Sequence, residues 1–329
     1  MEPSKPQNVK KNNLSLLTHL IKDHGPVSKK ELSNLSGLSV VTINKLIPDL
    51  LKESIVFPFS TDVITGGRHA VSYVFNEKKK LLLVIKMVET DRTLYFYYYL
   101  CDLNGKVIKE KKLSAKDLEW SDFLATIDAW KKIYPEIKGI VLGVPGVETS
   151  GVLKLVDYPM LKNRAVQQEL MDKFKCHVQV ENDVNAAILG YAMNQEKNKI
   201  ISGIYYPLSF PPGGGVSINQ KLLKGQNNFV GEVADFPLVA DWSKKNLADV
   251  DLKKHIYEVL QIFMSTYDPH EVVIYAAVER ISINLIDVIS KQLIAAYPAL
   301  NTPKIVLSRK FNTDYLTGLI SLGMNELND

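Results

Sequence analysis

Between Glu77 and Leu81 the chain changes pattern. Upstream of the charged joint Glu77-Lys-Lys-Lys80, apolar residues recur at helical spacing; directly downstream, Leu81-Leu-Leu-Val-Ile85 and Thr93-Leu-Tyr-Phe-Tyr-Tyr-Tyr-Leu100 are runs of strand formers. At 329 residues the chain is also too long for one small core. The expected division is a helical domain over residues 1–77 and two α/β lobes over 78–200 and 201–329, with the last helix free to return to the first lobe.

Charge follows the same division. The net charge is +4, but residues 1–80 hold 12 Lys and Arg against 7 Asp and Glu, whereas the remainder holds 28 against 29. A positive excess confined to one domain suits a polyanion such as DNA, although a solvated basic face has the same composition. The two cysteines, Cys101 and Cys176, have neither a CxxC nor a Cys/His spacing, which argues against a disulfide framework or a zinc site. No apolar run approaches the roughly 20 residues of a membrane span, and MEPSKPQNVKKNN lacks the apolar core of a signal peptide. A cytoplasmic protein with no membrane partner is expected.

In the N-terminal part, Leu14, Leu17, Leu20 and Ile21 mark one helix that stops at Gly25-Pro26. Ser28-Lys-Lys-Glu31 reads as a capping box that opens a second, in which Ser33 is small enough for a close helix crossing. Gly37 is a turn residue and Ser39 caps a third helix, with Ile43 and Leu46 facing inward. Pro48 should kink or end that helix, because it lacks an N–H and clashes one turn back. Ile55 to Phe59 and Ala70 to Phe75 then read as two strands around the polar tip Thr65-Gly-Gly-Arg68. Three helices and a β-hairpin compose a winged helix-turn-helix, whose third helix enters the major groove of double-stranded DNA. Ser39, Val41, Thr42, Asn44 and Lys45 lie on its expected outward face, and Arg68 in the wing could reach a phosphate or the minor groove.

In the body, strands alternate with helices expected at about 121–132 and 164–174, between Gly139-Ile-Val-Leu-Gly143 and Val178-Gln-Val180. Asn182 and Asp183 end a strand just before a helix starting near Asn185, where ligands of open α/β sheets collect. A carboxylate beside a carboxamide can grip adjacent hydroxyls of a pyranose. Asp183 or Asn185 could equally serve as a helix cap.

Gly143-Val-Pro-Gly146, the stretch Glu181-Asn-Asp-Val-Asn-Ala-Ala187 and Gly231-Glu232 resemble the ROK family of repressors and sugar kinases. Glu31 to Ser39 and Gly66-Gly-Arg68 are similar to its repressor branch, which includes xylose and N-acetylglucosamine repressors. The resemblance implies a two-lobed sugar-kinase-like body of the ribonuclease H-like, actin-like ATPase class behind a winged helix-turn-helix. It implies that Gly146, Asn182, Asp183 and Glu232 bind a sugar or sugar-phosphate effector. In the kinases the residue matching Asp183 is also the general base. Where the family has a His that ties sugar to zinc, this chain has Asp235, which can still accept from a hydroxyl.

Three departures from the family lie on the nucleotide side. Lys86-Met-Val-Glu-Thr-Asp91 replaces the Asp-x-Gly-Gly-Thr phosphate turn, Leu208-Ser-Phe-Pro-Pro-Gly-Gly-Gly215 replaces a second glycine loop, and Glu271-Val-Val-Ile-Tyr-Ala-Ala277 replaces a strand ending in a glycine pair. Acidic side chains in such a turn repel a polyphosphate. No cysteine follows Cys176, so the family's zinc loop cannot form. The expectation is a repressor, dimeric or tetrameric, with no metal, cofactor or catalytic residue. Its rivals are an active sugar kinase with an appended DNA-binding domain, and a DNA-binding protein whose body serves dimerisation alone.

Overall fold

A computed structural model describes residues 6–60, 71–90, 93–156, 158–208, 211–238, 251–277 and 279–328. The chain divides into two compact units, Met1–Lys80 and Leu81–Asp329. The first unit therefore includes Lys78 to Lys80, three residues beyond the boundary set at 77, since the Lys79 N–H closes a turn on the Asn76 carbonyl at 3.2 Å.

In the first unit, α1 (Pro6–His24), α2 (Lys29–Ser36) and α3 (Val40–Lys52) pack beside an antiparallel sheet in the order β1-β3-β2, formed by β1 (Val27–Ser28), β2 (Val56–Phe59) and β3 (Ser72–Phe75). Helix α1 starts well before its apolar stripe, with Pro6 in the first turn, where its missing N–H is harmless. The capping box at Ser28 and Glu31 forms with both hydrogen bonds, and Gly37 ends α2 in the left-handed region at φ 71°. Ser39 caps α3 through the Thr42 N–H. Pro48 neither ends α3 nor shortens it; the helix runs four residues further because Ile47 and Leu50, on either side of it, are buried in the core with Leu17, Ile21, Leu32 and Ile43. The burial of that face outweighs one lost backbone bond. Pro58 lies in β2, an edge strand, where no ladder donor is needed.

The second unit is built on two five-stranded sheets. The first has the order β10-β7-β4-β5-β6, from β4 (Leu81–Thr90), β5 (Thr93–Cys101), β6 (Val107–Ser114), β7 (Ile137–Val144) and β10 (His177–Asn182). The second has the order β13-β12-β11-β14-β15, from β11 (Ile200–Tyr206), β12 (Gly213–Ile218), β13 (Lys221–Leu222), β14 (Glu271–Ala276) and β15 (Lys304–Ser308). A separate hairpin pairs β8 (Gly146–Thr149) with β9 (Val152–Val156). In both sheets an antiparallel meander is followed by parallel strands, which need crossover helices. These are α4 (Trp120–Ile133), α5 (Val166–Phe174), α7 (Leu252–Tyr267) and α8 (Ile283–Ala296).

Helices α6 (Asp183–Met193) and α9 (Phe311–Asn328) join the sheets, α6 packing on β11 and β12 and α9 on β4 and β7. The C-terminal helix thus lies against the first lobe's strands. The two helices cross at Gly190 and Gly318, where an added Cβ would come 1.8 Å from the Asp314 and Ala186 carbonyl oxygens respectively. Only glycine allows that approach. One consequence is that the start of α6 is held between both sheets, and this start carries the motif that most resembles a family signature.

Candidate functional site

Strand β10 delivers Asn182 and Asp183 to the N-terminus of α6. Asn182 is the cap: its Oδ1 accepts from the Val184 and Asn185 N–H groups at 2.9 and 3.0 Å, and its Nδ2 donates to the Gly146 carbonyl at 3.2 Å. Capping falls neither to Asp183 nor to Asn185, the two residues that sequence reasoning considered for it. The same bonds tie Gly146, at the start of β8, to the helix.

The Asp183 carboxylate accepts from the Val184 N–H at 2.9 Å. Burial of its carboxylate, opposed by that N–H and reinforced by the nearby Glu232, pushes its pKa up to about 7. Glu232 is likewise pushed to about 7, first by burial and then by Asp235. It follows Gly231, held at φ 85°, where an added Cβ would come 2.6 Å from the Gly215 nitrogen, so Gly214, Gly215 and Gly231 fit backbone to backbone. Asp235 ends a short 3-10 turn, Val233–Asp235, and is exposed. Of the five proposed effector ligands, Gly146 and Asn182 are hydrogen-bonded together, Asp183 and Glu232 are electrostatically coupled, and Asp235 stands at the rim. Two carboxyls whose pKa lies near neutrality can both donate to and accept from hydroxyls, and such perturbed groups mark functional sites.

Beyond Asp183 the chemistry changes abruptly. Tyr205 stacks on Phe311 at 3.9 Å between ring centroids, Tyr275 meets Phe311 edge-on at 5.4 Å and Tyr315 lies 5.8 Å from it. Asp183 contributes, after burial, to raising the pKa of both the Tyr205 and Tyr315 phenols, so the rings adjoin the carboxyl. Gly143 is required here, because a Cβ would strike the Tyr315 hydroxyl at 2.3 Å. On the same side Lys86 is buried, donating to the Asn312 carbonyl at 2.9 Å, with the rings of Tyr97, Tyr99 and Tyr315 at 5.6, 5.6 and 5.7 Å. Burial lowers its pKa to about 8. Sequence reasoning assigned no role to Lys86, Tyr205, Phe311 or Tyr315. Their meeting has no local signal, since they come from two strands and a helix up to 229 positions apart.

On α3, Val41, Asn44 and Lys45 project outward and exposed. Ser39 and Thr42 use their polar groups on each other and on the cap, with 3.0 Å between their hydroxyls. Asn44 Oδ1 accepts from Lys29 Nζ at 2.8 Å, a partner on α2 that the sequence did not suggest. Arg68 lies outside the described residues, as do residues 239–250 downstream of Asp235. Among the described residues no helix is long and apolar enough to cross a membrane, and no three His, Cys, Asp or Glu side chains are grouped to hold a metal ion.

Residues 93–244 match the sequence model of the ROK family. The chain is 28% identical over 235 residues to the xylose repressor of Bacillus subtilis (strain 168), covering 68% of this chain and 60% of that protein. It is 23% identical over 235 residues to the DNA-binding transcriptional dual regulator NagC of Escherichia coli (strain K12), covering 68% and 57%. The match therefore spans about three fifths of those relatives. Among solved structures, a ROK family transcriptional regulator described as a homolog of the E. coli MLC protein is similar with a TM-score of 0.62 at 17% identity, over 97% of this chain and 99% of that one. A ROK hexokinase from Thermus thermophilus is similar with a TM-score of 0.59 at 16% identity, over 75% and 99%. At these identities the likeness is one of fold, shared by regulators and kinases.

Proposed function

We propose that the chain is a member of the ROK family, as its match to the family model and its similarity to xylose and N-acetylglucosamine repressors support, and that it is a sugar-responsive, DNA-binding transcriptional repressor of the cytoplasm whose kinase chemistry is lost. Its first unit is a winged helix-turn-helix that presents Val41, Asn44, Lys45 and, from the wing, Arg68 to operator DNA. Its body holds the effector at Gly146, Asn182, Asp183, Glu232 and Asp235, and the protein works as a homodimer or homotetramer so that paired units meet paired half-sites.

The observation that carries this reading is the contrast around Asp183. The two carboxyls are kept and half-buried, while Tyr205, Phe311 and Tyr315 pack against one another beside them. Rings replace the small residues that a phosphoryl-transfer site needs for backbone approach to phosphates, and the turn from Lys86 to Asp91 adds acidic side chains that repel them. Asp183 then serves as a ligand, not a general base.

The test has two arms on the full-length protein. Duplexes selected from a random library should bind with an affinity that falls steeply with salt, shifts when a bound sugar is added, and drops in Asn44→Ala and Lys45→Ala. Incubation with labelled ATP and a panel of hexoses should show no transfer. Transfer would establish the rival reading of an active kinase with an appended DNA-binding domain, which the shared fold with a ROK hexokinase keeps in play. Failure of every sugar to bind would leave the body as a dimerisation platform.

A further inference from the structure

A cavity of about 340 Å³ begins at Gly146 and Asn182 and runs along the free edge of β10 to His177 and Glu326. Its size is in the range of sites that enclose ligands larger than one small ring. Its walls are polar in a particular way. Asn185 is 7% exposed and lines the cavity. A Cβ at Gly215 would fall 2.3 Å from its Oδ1, so the amide is fixed in place by the backbone of β12. An amide held at the cavity wall can both donate to and accept from a ligand hydroxyl.

The charges in the cavity are also informative. Glu181 is buried, its Oε2 2.7 Å from Lys224 Nζ and its Oε1 accepting from the Asn182 N–H at 3.1 Å. Glu148 lies close enough to both that Lys224 lowers and Glu181 raises its pKa, with burial the larger influence upward. At the far end Glu326 is 3.5 Å from His177. The one lysine in the lining is thus already committed, against three carboxylates. A phosphate entering here would meet uncompensated negative charge in a confined space, whereas hydroxyls could donate to the carboxylates and accept from the amides.

We propose that this cavity holds a second saccharide ring, so that the effector is an uncharged disaccharide or longer oligosaccharide rather than a monosaccharide or a sugar phosphate. The inference rests on the reading of Asp183 and Glu232 as ligands of the first ring. The second ring would lie between the Lys224–Glu181 pair and the Asn185 amide, within reach of Gln179 on the strand edge.

Titration calorimetry on the full-length protein tests it, with xylose, glucose and N-acetylglucosamine set against xylobiose, cellobiose, chitobiose and the hexose 6-phosphates. At least one disaccharide should bind about tenfold or more tighter than its monosaccharide, as one or two added hydrogen bonds allow, and no 6-phosphate should bind more tightly than its parent sugar. Asn185→Ala should remove the disaccharide's advantage while leaving monosaccharide affinity unchanged, and Gln179→Ala provides the same readout if the first variant does not fold. A monosaccharide that binds as tightly as every disaccharide, or a 6-phosphate that binds more tightly than its parent, overturns the inference while the repressor reading stands. Absence of binding by any saccharide overturns both.

Discussion

Asp183 and Tyr315 are near neighbours, yet their surroundings follow opposite rules. Around Asp183 the chain keeps half-buried carboxyls, and desolvation raises the pKa of both Asp183 and Glu232 to about 7. Around Tyr315 it fills space with rings, and Tyr205, Phe311 and Tyr275 stack or meet edge-on. The second arrangement stabilises the fold, since each aromatic pair adds about 0.5–1.5 kcal/mol beyond its burial. The first opposes folding, because burying a carboxylate without a cation is unfavourable. A polar arrangement that works against stability points to a ligand as its reason, whereas the aromatic arrangement needs none.

That contrast gives the largest expected effect to the aromatic side. Tyr315 is fully buried, and Tyr315→Ala should destabilise the body by roughly 3–5 kcal/mol, as large-to-small changes of aromatic core residues do. Chemical denaturation monitored by circular dichroism measures it. A loss below about 1 kcal/mol would mean that the ring collapses into space left for something else, and the supposed filling of the nucleotide side would fail.

Asp183→Asn should behave in the opposite sense. A carboxyl whose pKa is about 7 when folded, above its unfolded value, folds without penalty below about pH 4 and with the full penalty above pH 7. The variant should therefore melt higher than the parent at pH 8 and no higher at pH 4. It should also weaken sugar binding by about tenfold to a hundredfold, the equivalent of one charged hydrogen bond of roughly 1.5–3 kcal/mol, while operator affinity without sugar is kept. A lower melting temperature at pH 8 would show that the carboxylate has a stabilising partner. An intact sugar response would remove Asp183 from the site.

The two sides also differ in how far they could be read in advance. The turn from Glu181 to Ala187 is contiguous, and residue type and spacing alone place its polar side chains at a strand end; only the division of labour, with Asn182 as cap and Asp183 free, needed coordinates. The capping box at Ser28 and Glu31 and the turn at Gly37 were legible for the same reason. Pro48 misled because a local rule lost to burial of Ile47 and Leu50, which depends on the rest of the unit. The aromatic side was not legible at all. Tyr205 and Phe311 stack across more than a hundred residues of separation, and periodicity in a single strand or helix carries no record of that contact. The three altered loops suggested that phosphate binding is lost, but carried no sign of the aromatic cluster beside Asp183.

Lys86 gives the smallest and most discriminating test, because it sits on the aromatic side yet carries a charge. Burial lowers its pKa from the ordinary 10.5 to about 8. A base lowered in this way is unfavourable in the folded state below pH 8, and the penalty disappears as pH rises through 10.5, where the unfolded chain also becomes neutral. The rings of Tyr97, Tyr99 and Tyr315 offset part of it, each by roughly 0.5–2 kcal/mol depending on desolvation. Lys86→Met keeps the length and polarizability of the side chain and removes the charge, so it should raise stability at pH 7 by about 1 kcal/mol, the surplus of desolvation over ring attraction. The gain should shrink toward zero by pH 10.5. Thermal melts of parent and variant across pH 6.5 to 10.5 check both parts. A variant less stable than the parent at pH 7 would mean that the ammonium is held by more than three rings and one carbonyl, and that the aromatic side retains a binding function for its cation.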